Sequence, residues 1–187
     1  MTPRRYIASI ALALCLLPGD QVSAHPHVWV VMRGEVIFAP NGSLTGVRYT
    51  WAFDESLSAS VAREAGTSPL TREGLAPLAQ VNIDTLRDSE FFTRAKADGT
   101  EQKFGAPEDY WLAFEEGVLT LHFTLPFKSP LRPRRLELEI YDPSYFTDIQ
   151  LDEKDPFTLV NAPGHCTSVA NRQSWTQLAN KIVVVCP

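Results

Sequence analysis

Val118-Leu119-Thr120-Leu121-His122-Phe123-Thr124-Leu125-Pro126-Phe127 decides the fold class. Leu119, Leu121, Phe123, Leu125 and Phe127 fall on one side of an extended chain, with Thr120, His122 and Thr124 on the other. A period of two belongs to a half-buried strand, whereas a helix would return its apolar residues every three or four positions. Just upstream, Tyr110 to Phe114 forms a partner strand, and Glu115-Glu116-Gly117 turns the chain between them. Downstream, Arg135 to Tyr141 alternates with Leu136, Leu138 and Ile140 inward and Glu137 and Glu139 outward, and Asp142-Pro143 ends it. The same habit appears at the front of the chain. His27 to Ala39 reads as a first strand, Asn41-Gly42 is a strong hairpin turn, and Leu44 to Phe53 runs back as a second strand. In that strand Val47, Tyr49, Trp51 and Phe53 share a face opposite to Arg48, Thr50 and Ala52. Leu159-Val160 and Lys181 to Cys186 supply the last short strands.

Between the second and third strands the pattern changes. Asp54 is placed to cap a short helix holding Ser56, Ala59, Ala62 and Arg63. Gly66-Thr67-Ser68-Pro69 interrupts it, and Thr71 is a cap for a second helix from Arg72 to about Leu86, with Leu75, Leu78, Ala79, Asn82 and Leu86 along one stripe. Residues 88–105 are polar and broken by Asp98-Gly99. The expected architecture is mainly β (α+β): an antiparallel β-sandwich with a helical insertion at about 54–98. The sequence shows no internal repeat.

Residues 1–24 have the grammar of an export signal: Arg4 and Arg5, an apolar run from Ile7 to Leu17, a break at Pro18-Gly19-Asp20, and Val22-Ser23-Ala24 before a cut at Ala24/His25. The apolar run is well short of the ~20 residues that span a bilayer. Cys15 invites a lipoprotein reading, but Leu14 stands where a small residue is needed. Cleavage would leave 163 of the 187 residues, enough for one domain with a real core, and would move the formal charge from −5 to −6. A mildly acidic domain has no basic footprint for nucleic acid. Of three cysteines, Cys166 and Cys186 remain. In an oxidising compartment such a pair reads as a disulfide. The alternative is a thiolate metal site, for which the two lack close ligand spacing.

The cut also creates the sharpest chemical feature, a new amino terminus His25-Pro26-His27-Val28-Trp29. A free α-amine titrates near ~7.7, so it ligates at modest cost, and with the His25 imidazole it forms a chelate. His27, two residues on, projects to the same face of an extended chain. Nitrogen donors suit Ni, Co, Zn or Cu. Pro26 has no amide N–H, which excludes the square-planar wrap through successive deprotonated amides but leaves a brace-like arrangement. The competing reading is a pair of solvated histidines on a frayed terminus. Against it, Val28-Trp29-Val30-Val31 is an apolar strand that should pack.

Several motifs follow one another in order: His25-Pro26-His27-Val28-Trp29 after the export signal, Trp51-Ala52-Phe53-Asp54-Glu55, Leu75-Ala76-Pro77-Leu78-Ala79-Gln80-Val81-Asn82-Ile83, Phe91-Phe92-Thr93, Tyr141-Asp142-Pro143-Ser144-Tyr145-Phe146, and a terminal cysteine. Together they resemble the domain-of-unknown-function family 1007, described as the periplasmic component of an uncharacterised ABC-type transport system. Members are often encoded beside, or fused to, nickel/cobalt-type transporters. The resemblance implies a periplasmic role in handling a transition metal, with an inner-membrane metal transporter as partner. Many members resemble an EF-hand loop between the two helices. Here the ligand positions hold Arg63, Ala65, Thr67 and Gly74, and Ser68 stands where the loop needs glycine, so no calcium binding is expected.

The remaining candidates are weaker. Asp54 and Glu55 are carboxylate donors whose plain reading is a helix cap and a first-turn charge. His122 lies on a polar strand face and reads as solvated. His165, beside Cys166, becomes a third imidazole if the stapled C-terminal segment lies near the amino terminus. Tyr141 to Tyr145 shapes a strand exit. There is no phosphate loop, no His-Glu-x-x-His and no Gly-x-Ser-x-Gly, and no catalytic residue is assigned. Three functional readings stand: a periplasmic metal-binding accessory of a transport system, a metal-free module docking on a transporter, and a copper enzyme with a histidine brace.

Overall fold

The computed structural model describes residues 28–66, 68–172 and 179–187. In chain order the elements are β1 (Val28–Phe38), β2 (Leu44–Phe53), α1 (Glu55–Ala65), α2 (Ala76–Asp88), a 3-10 turn (Glu90–Phe92), β3 (Thr93–Ala97), β4 (Thr100–Gln102), β5 (Glu108–Glu115) and β6 (Val118–Leu131). They continue with β7 (Arg135–Ile140), β8 (Thr147–Leu151), β9 (Phe157–Val160), β10 (Thr167–Asn171) and β11 (Asn180–Val185). One sheet runs β5-β6-β2-β1-β8, with β9 continuing beside β1, and the other runs β10-β11-β7-β3-β4. The two form a sandwich.

The alternating residues of β6 all point inward: Leu119, Leu121, Phe123, Leu125 and Phe127 are buried. Val47, Tyr49, Trp51 and Phe53 of β2 join them, and Leu136, Leu138 and Ile140 come from the opposite sheet. Tyr49, Trp51 and Phe123 meet with ring centroids 5.2–6.4 Å apart, the separation at which tilted and edge-on aromatic pairs attract. The two hairpins expected from the sequence turn where glycine permits a positive φ, at Gly42 (78°) and at Glu116-Gly117 (52° and 82°).

The helices pack against one end of this core. Ser58 of α1 is fully buried. Its hydroxyl donates to the Phe53 carbonyl (3.4 Å) and accepts from the Leu119 amide (3.0 Å), pinning the helix between two strands. α2 buries Ala79 and Ile83, and the hydroxyl of Tyr110 on β5 donates to Gln80 (2.6 Å).

Four features differ from expectation. β8 and β9 pair parallel to β1, Val28–Met32 with Thr147–Leu151 and Gly34–Ile37 with Phe157–Val160, so the first sheet is mixed. Parallel partners are joined by long connections that leave no hairpin signal. Residues 93–102 form a β-hairpin around Asp98-Gly99, so the helical insertion ends at Phe92 rather than near 98. The inward residues of β3, Thr93 and Ala95, are too small to mark a strand. β10 is likewise an additional strand, with exposed and half-buried residues along its whole length. Finally, α2 starts at Ala76, not Arg72, with Pro77 in its first turn. Proline lacks the N–H that an interior position would need, so Pro77 itself sets the start. Thr71 still caps locally, its hydroxyl accepting from the Gly74 amide (3.2 Å).

Glu90, Phe91 and Phe92 all have left-handed φ, at 48°, 54° and 51°. Such a conformation costs roughly 1–2 kcal/mol for each residue with a Cβ. Burial offsets that cost. Phe91 lies 5.7 Å from Phe123 and Phe92 stacks parallel to Trp51 at 6.3 Å.

Cys166 and Cys186 form a disulfide across a sequence separation of 20 residues. The Cys186 amide also donates to the Arg134 carbonyl (2.8 Å), tying the C-terminus to the start of β7. Cys166→Ser with Cys186→Ser is expected to lower unfolding free energy by about 3 kcal/mol, the loop-closure value for this separation, as measured by urea denaturation. On β1, a Cβ added at Gly34 would overlap the Phe157 ring of β9. Gly34→Ala should therefore cost about 1–3 kcal/mol in the same measurement, and an unchanged midpoint would contradict the tight β1–β9 contact.

Candidate functional site

His25 and His27 lie outside the described residues, which begin at Val28. The structure does define what they are attached to. The Val28 amide donates to the Phe146 carbonyl (3.2 Å), the Asp54 amide donates to the Trp29 carbonyl (3.0 Å), and the Trp29 amide donates to Asp54 Oδ2 (3.3 Å). The start of β1 is therefore held on both sides, by β8 and by the end of β2.

Asp54 sits there because it ends β2 and caps α1: its Oδ1 accepts from the Leu57 amide (3.1 Å). Each oxygen accepts one backbone N–H, and a carboxylate has roughly four acceptor positions, so lone pairs remain for a cation. Glu55 is the exposed first residue of α1, favourably placed at the positive end of the helix dipole. On the other side of β1, Asp148 of β8 stands directly opposite Trp29, half-buried, with Oδ2 accepting from Gln150 (2.8 Å). Asp148 carries no mark in the sequence, because β8 itself was not legible there. Two carboxylates thus flank Trp29. Their oxygen chemistry fits the outer ligands or hydrogen-bond partners of a nitrogen-held transition metal. Among the described residues, no group of three or more His, Cys, Asp or Glu is placed to hold a metal ion.

His165 is not part of this edge. It follows β9, whose Val160 pairs with Ile37 near the far end of β1. Pro163 contacts the hairpin at Gly42. Val28 and Phe38 are separated by about 33 Å of extended strand. The stapled segment, and His165 with it, lies at the opposite end of the sandwich from Val28, where the described residues begin. The cysteines beside it are joined to each other, which leaves no thiolate pair for a metal.

Tyr141 to Phe146 is a scaffold for the edge. The Asp142 side chain is buried and accepts from the Ser144 amide (2.8 Å), the Ser144 hydroxyl (2.6 Å) and the Thr147 amide (2.8 Å). This fixes the exit from β7 and delivers Phe146 to Val28. Around the edge, Trp29, Val31, Tyr145 and Phe146 are each about half exposed, at 47%, 47%, 53% and 48%.

His122 is not simply solvated. It is half-buried on the outer face of β6, its ring parallel to that of Trp111 with centroids 4.5 Å apart, and its Nδ1 is 3.3 Å from the Thr50 hydroxyl. Arg72 places its guanidinium 4.4 Å from the Trp111 ring. Burial, the larger cause, pushes the His122 pKa below its ordinary value; the Glu115 carboxylate opposes this and the Arg72 charge adds to it. The folded protein therefore resists protonation that the unfolded chain accepts near pH ~6.5. Stability should be full above that pH and fall as pH drops through it towards the lower folded value, then level off. His122→Gln should flatten this step in urea midpoints measured between pH 5 and 8, and an unaltered step would show that another group causes it.

A family model described as "Protein of unknown function (DUF1007)" matches residues 10–183. No curated protein matches the chain.

Proposed function

The chain belongs to that family, and we propose that it is a periplasmic transition-metal-binding accessory protein of a metal transport system, exported by a signal cleaved after Ala24. The amine and imidazole of His25 and the imidazole of His27 hold Ni, Co, Zn or Cu, and Asp54 and Asp148 stand as neighbouring carboxylates. The observation that carries this reading is the anchoring of Val28 and Trp29 between Phe146 and Asp54. A chelate on a tethered strand loses less freedom on binding than one on a loose tail. The disulfide fits an oxidising compartment. Among the described residues, no helix is long and apolar enough to cross a membrane.

A second reading is favoured by the half-exposed Trp29, Val31, Tyr145 and Phe146 around the same edge. In it the edge docks on an inner-membrane transporter without holding metal. The two readings separate on the amino terminus. Mature protein, shown by mass spectrometry to begin at His25, is titrated in competition with Ni, Co, Zn and Cu beside a form carrying one extra residue in front. The metal reading expects tight binding of one metal, weakened on the order of tenfold or more by the extra residue and by His27→Ala, and on the order of tenfold by Asp54→Asn. Binding no tighter than that of free imidazole would leave only the docking module.

A further inference from the structure

The left-handed Glu90-Phe91-Phe92 turn is held from several directions. The Phe92 amide donates to the Ser89 carbonyl (2.9 Å), the Tyr141 amide to the Phe92 carbonyl (3.1 Å), and the Thr93 hydroxyl to the Phe91 carbonyl (2.9 Å). Strain held so firmly has a local product. The turn separates two clefts, of about 380 and 260 Å³, and Glu90, Thr93 and Arg94 line both.

The larger cleft is unlike the rest of this acidic chain. Four cationic side chains, Arg87, Arg94, Lys103 and Lys128, face it with two carboxylates, Glu90 and Glu101. Lys103 is committed to those two, at 2.8 and 3.4 Å, and Arg87 to Asp84 at 2.9 Å. Arg94 and Lys128 have no carboxylate within ion-pair distance among the described residues; Arg94 is attracted at longer range by the Glu90 carboxylate, and its guanidinium is 5.9 Å from the Tyr141 ring. Phe91 and Phe104 supply apolar surface, and Phe104 is braced by stacking on Phe127 at 4.9 Å. A volume of 380 Å³ is in the range of small-molecule sites. A planar guanidinium and an ammonium around an apolar wall match separated carboxylates on a short carbon skeleton, since Arg grips a carboxylate through two parallel N–H bonds.

We propose that this cleft is a binding site for a small organic polycarboxylate, anchored by Arg94 and Lys128 with its carbon chain against Phe104. The site is separate from the amino-terminal edge and does not depend on the metal reading.

The probe is propane-1,2,3-tricarboxylate, a weak chelator, titrated calorimetrically into metal-free mature protein at low ionic strength. One saturable site is expected, weakened roughly tenfold or more by Arg94→Gln and by Lys128→Gln, each the loss of a charge-assisted contact. Lys181→Gln, which removes a cation paired with Glu139 on the same sheet, should leave it unchanged. Thermal melts establish that each variant is folded. The form with an extra residue before His25 should bind the probe normally, so failure of the metal site and failure of this one are distinguishable. Absence of saturable binding, insensitivity to Arg94→Gln, equal loss in Lys181→Gln, or equal competition by sulfate at matched ionic strength would each overturn the proposal.

Discussion

β1 has strands on both edges along its length. β2 takes one edge in antiparallel register from Val30 to Phe38. β8 and then β9 take the other, in parallel. Its inward residues Val30, Met32, Val36 and Phe38 are buried, and Gly34 leaves room for the Phe157 ring. A strand paired on both edges cannot shift by one residue without turning this entire set to solvent. The first sheet, the placement of the late segment 147–160, and the position of the amino-terminal edge all follow from that register.

The same register divides the molecule into two ends with different chemistry. At one end the hairpin at Gly42, the loop around Pro163, exposed His165 and the disulfide lie together. At the other, the start of β1 meets the cap of α1 and the loop ordered by Asp142. The second end carries Asp54, with acceptor positions beyond its two backbone partners, and partly exposed aromatic groups, which is why it is the candidate site. The helical insertion contributes through Asp54, one residue that terminates a strand, caps a helix and accepts the Trp29 amide.

The outer faces are built from long amphipathic side chains rather than left bare. Arg72 reaches from the turn before α2 to Trp111, which stacks on His122, which meets Thr50. This row lies across β5, β6 and β2 and leaves His122 half-buried, and that burial is the larger cause of its depressed basicity. The left-handed turn before β3 works in the opposite sense. It drives Phe91 into the core, packs half-buried Phe92 against it, and leaves Glu90 and Arg94 lining clefts at the surface.

Local sequence determined the long antiparallel strands, both glycine hairpins, the Asp54 cap and the cysteine pair, because each rests on a period of two or on a residue whose backbone needs are its own. It also singled out His25, His27, Asp54 and Glu55 as donors. It did not reveal β3, β8 or β10, whose inward residues are few or small, nor the parallel pairing that brings Asp148 beside Trp29. It read His165 as a possible neighbour of the amino terminus and His122 as solvated. Only the tertiary structure separated the first by the length of β1 and covered the second with Trp111, since the distance between two residues far apart in sequence is decided by which strand edges pair, and no local pattern carries that information.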